Sequence, residues 1–321
     1  MISRRLLRIK ALMTLYAFNR REDDDLAKAE KELMFSLGKT YDLYHYLLLL
    51  VIEIADIATE KIEQARRKNM PSPEDLNPNL RFVENTLIAQ LRANSSLTRY
   101  LSASKLTWVN YPHVPRQLYN NLATWEPYVS YMNSQDKNYS SEKKFISSLI
   151  TEYFAASDDL LNCLEEQSIY WNDDMEYVLV MIEKTLKKFK SDSDDQAPLM
   201  PLFKNEEDKD FVKVLFRKAV LNMKENTEII DRNTTNWEVD RIALMDTLVM
   251  QLAITEVQAF PEIPVKVSLN EYIEIAKYYC TSKSSTFVNG ILDNIVREMR
   301  EKGLIKKFGR GLVGEGNDDS N

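Results

Sequence analysis

Glycine is nearly absent from this chain, with 7 in 321 residues. Hairpin-rich β folds use glycine in their turns, and phosphate-cradling loops need it for close backbone approach, so its scarcity argues against both. Neither GxxxxGK[ST] nor GxGxxG occurs, which removes the usual sequence routes to nucleotide binding. Apolar residues recur instead at three- and four-residue spacing, the period of a helix with one buried face. The expected fold class is all-α, in one large domain or two ordinary ones with ample apolar content for a core.

The two cysteines, Cys163 and Cys280, lie far apart and in no CxxC pattern. They read as buried free thiols in a reducing compartment, with no disulfide framework, no zinc site and no cofactor. His45 and His113 are also distant from one another and read as structural. The most apolar run, Leu47–Ile52, is interrupted by Glu53 and Asp56, well short of the ~20 residues a membrane span requires. A buried helix is expected there, and no signal-peptide pattern opens the chain. The protein is expected to be cytoplasmic, with no membrane partner. A net charge of −7 weighs against nucleic acid, although the clustering of positive charge decides that question.

Helices are expected over residues 3–20 and 41–67, several more between 80 and 189, then at 208–231, 237–258, 268–279 and 285–302. Residues 1–38 form the N-terminal part and 206–302 the C-terminal bundle. Between them lies a helical region, 39–205, with linkers near 70–80 and 190–205. Met70–Asn79 carries Pro71, Pro73 and Pro78, a clear chain breaker. Ser191–Pro201 is charged and proline-bearing, so it is expected to be flexible. A disordered tail is expected over 309–321.

Pro261 and Pro264 end one helix and impose an extended turn. Ser268-Leu-Asn-Glu271 then predicts a capping box that opens the next helix. The last long helix follows Lys283, capped by Ser284 or Ser285, with Phe287, Val288, Ile291 and Leu292 on its buried stripe. A helix start of this kind, beside a lysine, fits an anion. It also fits an ordinary capped helix.

Arg4, Arg5, Arg8 and Lys10 fall within ten residues that contain no acid. Arg4 and Arg8 share a helix face, and the group sits where the macrodipole disfavours cations. Phosphates would relieve both penalties, and arginine forks suit them. A solvated basic face is the alternative. Asp240 and Asp246 lie early on the 237–258 helix, either solvated or facing a basic partner protein. Carboxylate pairs such as Asp158/Asp159 and Asp173/Asp174 have no nucleophile or metal-ligand spacing beside them. No catalytic constellation is apparent, so the chain reads as a binding protein.

Ile263-Pro-Val-Lys-Val, Asn270-Glu271 and Phe287-Val-Asn-Gly-Ile-Leu-Asp293 closely resemble the signature of the NusB family of transcription antitermination factors. Phe216-Arg-Lys-Ala and Leu252-Ala-Ile-Thr-Glu-Val257 extend the likeness. Arg4-Arg5-Leu-Leu-Arg8 and Ala11-Leu-Met-Thr-Leu-Tyr16 are similar to the family's arginine-rich arm and first helix. The resemblance implies NusB-like helical bundles with an additional inserted helical region. It also implies binding to boxA-type RNA of nascent ribosomal RNA transcripts, together with NusE (a small-subunit ribosomal protein), within the RNA polymerase antitermination complex. Carried over by position, Arg4, Arg5, Arg8, Lys283, Ser284 and Phe287 would meet RNA, and Tyr16, Asp240 and Asp246 would meet NusE. Phe287 fits both a buried stripe and a base-stacking role.

The sequence departs from the family pattern at three places: the roughly 150-residue insertion, Lys283 where an acid is expected, and Gln251 in place of an arginine. Two other functions are compatible with the resemblance. A helical interaction factor in ribosome biogenesis, with RNA binding lost or altered, is one. An rRNA-modifying enzyme's NusB-like domain is the other, and it lacks the glycine-rich cofactor loop such an enzyme needs.

Overall fold

The computed structural model describes residues 1–21, 24–234, 243–281 and 284–313. Among these the chain is all-α, with fifteen α-helices and no strand. It separates into two compact units, one of Leu37–Leu202 with Met1, and one of Ile2–Ser36 with the chain from Phe203 onward.

The second unit begins with α1 (Arg4–Asn19), capped by Ser3, whose hydroxyl accepts from the Leu6 amide. Leu6, Leu7, Ile9, Leu12 and Leu15 bury its apolar face. The segment that became α11 and α12 reads from sequence as one helix over 208–231. It breaks at Asn222 into α11 (Glu206–Leu221) and α12 (Met223–Asn233). Next come α13 (Leu244–Ala259), α14 (Val265–Tyr279) and α15 (Ser284–Glu301).

Helix α13 is the hub, packing against α1, α11, α12, α14 and α15. Every residue from Leu248 to Val257 is buried, as expected of a helix with no polar face. The helix expected over 237–258 is described from Leu244 onward, and its first residues fall outside the described ones. The predicted capping box at Ser268 is also corrected. Helix α14 starts three residues earlier, with Pro264 at its N-cap in an extended conformation. Buried Ile263 and Val265 draw the chain into the helix sooner, and Ser268 ends inside it, fully buried.

In the first unit, α2 (Leu26–Arg66) contributes the residues from Leu37 onward. Asp25, whose carboxylate accepts from the Lys28 amide at 2.9 Å, stands just before it. The proline-rich stretch holds a single turn, α3 (Pro73–Leu76), closed by a capping box between Ser72 and Asp75. Then follow α4 (Thr86–Ala93), α5 (Ser95–Ser104), α6 (His113–Leu122), α7 (Glu126–Asn133) and α8 (Tyr139–Ser148), the last continuing as a π-helical turn, Leu149–Phe154. Helices α9 (Asp158–Gln167) and α10 (Met175–Lys188) complete the unit.

The strap after α10 is anchored, contrary to the flexibility its composition predicts. Gln90 donates to the carbonyls of Lys190 (2.8 Å) and Ser193 (3.2 Å), and Asn94 to that of Ala197 (2.8 Å). The Ser95 amide donates to Asp195 O at 2.8 Å. Tyr41 donates to Met200 O at 2.9 Å, while the Met200 amide donates to the Tyr44 hydroxyl. Side-chain amides here do the satisfying that a strand or helix would do for its own backbone.

Candidate nucleic-acid interface

Three arginines of α1 meet three acids of the second unit. Arg4 donates to Asp208 of α11 at 2.8 Å. Arg5 grips Glu271 of α14 with two bonds of 2.9 and 3.0 Å. Arg8 makes a paired fork to Glu256 of α13, both bonds 2.7 Å, and lies 3.6 Å from Glu271. The guanidinium groups of Arg4 and Arg8 also lie over the Phe211 ring, at 5.2 and 5.3 Å. The penalties that phosphate was expected to relieve are thus relieved by the protein's own carboxylates and by a π face.

The three differ in access. The Arg4 and Arg5 side chains are 41% and 40% exposed, whereas Arg8 is 3% exposed and Glu256 fully enclosed. Glu256 also accepts from the Ser268 hydroxyl at 2.8 Å and the Tyr272 hydroxyl at 2.9 Å, so its lone pairs are well used. Burial disfavours the charged form of Arg8, but the Glu256 hydrogen bonds and charge outweigh it and raise its pKa above the ordinary arginine value. Burial, reinforced by Glu256, pushes the Tyr272 phenol well up. Arg8 is therefore locked as an internal cation and has no surface to offer a phosphate.

The start of α15 is likewise occupied from within. Ser284 is buried and donates its hydroxyl to the Asp246 carboxylate at 2.9 Å, with Thr281 2.8 Å away. A carboxylate thus stands where the macrodipole favours an anion. Burial and Asp246 together raise the Cys280 thiol pKa. Asp246 is itself buried, so it does not present itself to a basic partner, and the solvated early turn read from the sequence is corrected. Asp240 and Lys283 lie outside the described residues. Phe287 is half-buried at the first turns of α15, and half-buried Tyr16 lies under the Arg20 guanidinium at 5.5 Å.

Both chain ends thus key into α13, at different places. Asp246 and Glu256 are ten residues apart on that helix, ~15 Å along its axis, so Arg8 and Ser284 are anchored at separate points of it. The sequence reading missed Asp208, Glu256 and the ion-pair role of Glu271. One signal was available, because Glu256 is the lone acid in the apolar run from Leu248 to Val257. A buried acid needs a cation, and α1 holds cations with no local acids.

Fold and site together define a helical-bundle protein in which a basic first helix is pinned by carboxylates into a C-terminal bundle. This chain belongs to the NusB family. The NusB family pattern matches residues 176–297. The chain is 44% identical over 115 residues to the transcription antitermination protein NusB of Salinibacter ruber, covering 36% of this chain and 72% of that protein. It is 45% identical over 105 residues to the Chloroherpeton thalassium protein of the same name, covering 33% and 50%. With that of Listeria monocytogenes it is 39% identical over 104 residues, covering 32% and 80%. No solved structure matches the chain.

Proposed function

We propose that the protein is a NusB-type transcription antitermination factor, acting by binding and without catalysis. Its ligand is boxA-type RNA of nascent ribosomal RNA transcripts, held together with NusE in the RNA polymerase antitermination complex. Family membership supports the role. The observation that carries the RNA reading is the pair Arg4 and Arg5, each about two-fifths exposed on a first turn that contains no acid. The exposed edge of each guanidinium can meet phosphate while the pair beneath it stays in place, since the Asp208 and Glu271 carboxylates are only 9% and 22% exposed. Arg8 acts as a positioning residue that fixes α1 in register. Lys283 and Phe287 extend the RNA surface, Phe287 by stacking on an unpaired base. On the NusE side stand Tyr16 and Asp240, while Asp246 supports the start of α15 from inside.

Fluorescence anisotropy with labelled boxA-like RNA, with and without NusE, tests this reading. Arg4→Ala/Arg5→Ala should weaken binding by about tenfold or more and lower the slope of log affinity against log salt by about 1–2. Absence of binding at low salt in both conditions would leave only a helical interaction factor.

A further inference from the structure

The unit of Leu37–Leu202 holds two aliphatic side chains almost bare, Ile169 at 78% and Val109 at 76% exposure. Neither sits on a loose loop. Tyr46 of α2 stacks on Trp108 with ring centroids 4.0 Å apart and lies 5.7 Å from Trp171. Trp108 donates to Tyr46 O at 3.3 Å, and Trp171 to Lys39 O at 2.7 Å. The Tyr46 hydroxyl donates to Thr107 O at 3.3 Å and meets the Gln167 side chain. Segments 107–109 and 167–171 thus converge on one buried aromatic. Val109 and Ile169 sit within two residues of these anchors, so the backbone that carries each is fixed against the same aromatic. Single exposed aliphatics are ordinary on a surface, but grouped and supported ones mark contacts.

The sequence around Ile169 says what covers it. From Phe145 to Glu183 the sequence contains no Lys, Arg or His. Asp158, Asp159, Glu165, Glu166, Asp173 and Glu176 are all exposed there, and among the described residues none enters an ion pair. Glu165 and Glu166 occupy the last turn of α9, where the helix macrodipole disfavours negative charge. Placing acids there costs stability, and a cationic partner would recover it.

We propose that the Val109–Ile169 patch docks a basic protein segment, whose apolar side chain covers Ile169 while its lysines and arginines meet the carboxylate rim. RNA and anionic membranes are repelled by that rim. A second copy of this chain, joined symmetrically through the same face, would set acid against acid. This inference rests only on the Leu37–Leu202 unit and stands or falls separately from the RNA reading.

The test uses the full chain and a labelled helical peptide of lysine and leucine, with its leucines on one face. Ile169→Asp should weaken binding roughly tenfold, as loss of a central apolar anchor does. Glu165→Lys/Glu166→Lys should do the same and flatten the salt dependence. That variant also places cations at a helix C-terminus, which favours folding. Glu60→Lys/Glu63→Lys, a reversal on the exposed end of α2, should leave affinity within about twofold, since screening confines its effect. The proposal is overturned if the patch variants bind like wild type or the α2 reversal weakens binding equally. Equal binding by a lysine–serine peptide also overturns it, as does competition for the patch by labelled RNA.

Discussion

Replacing Glu256 with glutamine would leave the enclosed Arg8 guanidinium with only the more distant Glu271, at 3.6 Å, as counter-charge. Breaking a buried pair by removing one partner costs about 3–5 kcal/mol. Urea unfolding of Glu256→Gln should show a loss of that size, and Arg8→Met/Glu256→Leu should recover only part of it, since the apolar pair carries no charge to desolvate but leaves the buried Ser268 and Tyr272 hydroxyls without their acceptor. A loss below about 1 kcal/mol in the single variant would mean the pair contributes little. At this scale the sequence was half legible. The arginines and their shared face could be read from i,i+4 spacing. Their partners could not, because Glu256 lies 248 residues along the chain from Arg8 and no local rule reaches that far.

Among the elements, the strap that follows α10 behaves least as its composition suggests. Ser191–Pro201 has the charge and proline content of a linker, but Ala197 and Met200 are buried and its carbonyls are held by Gln90, Asn94 and Tyr41. Composition reports that such a segment builds no core of its own; it is silent about one supplied by α2, α4 and α5. Gln90→Ala removes the donor shared by the Lys190 and Ser193 carbonyls, at about 1–3 kcal/mol. Trypsin should then cleave after Lys190 about tenfold faster or more while circular dichroism stays unchanged. Wild-type cleavage rates would show that the remaining anchors suffice. The boundaries of α14 and of α11/α12 were misread for a related reason, since buried side chains fix where a helix starts and local caps only follow.

For the molecule as a whole, glycine scarcity and helical periodicity sufficed to read the all-α class, and the C-terminal motifs, which lie within the matched residues 176–297, sufficed to read the NusB family. The packing of the helices between Leu37 and Leu202 has no such signal, because it depends on contacts such as the Tyr41, Tyr44, His45 and Tyr100 cluster. His45 stacks on Tyr100 at 3.8 Å and its Nδ1 lies 2.8 Å from Tyr41 O. Burial lowers its pKa from 6.5 to about 4, against the opposing pull of Asp42. Below pH 6.5 the unfolded chain takes up a proton that the folded one refuses, so stability of the Leu37–Leu202 unit should fall as pH drops toward 4 and level off beyond. The loss should reach roughly 3 kcal/mol. Trp108, Trp125 and Trp171 lie in that unit, so fluorescence of a Trp237→Phe background follows its unfolding. His45→Phe should flatten the curve across this window, and an unchanged slope would assign the loss to carboxylates instead.

The pinning of α1 by α11, α13 and α14 also sets a timetable for synthesis. Helix α1 leaves the ribosome ahead of its partners, and Glu256 and Glu271 follow roughly 10–50 s later at ordinary elongation speeds. During that interval the helix carries four uncompensated cations and a bare apolar face. The intervening residues meanwhile contain everything their own unit needs to fold. The bundle can close only when the far end of the chain emerges, so a nascent chain stalled before α13 would display its arginines to whatever polyanion lies nearest.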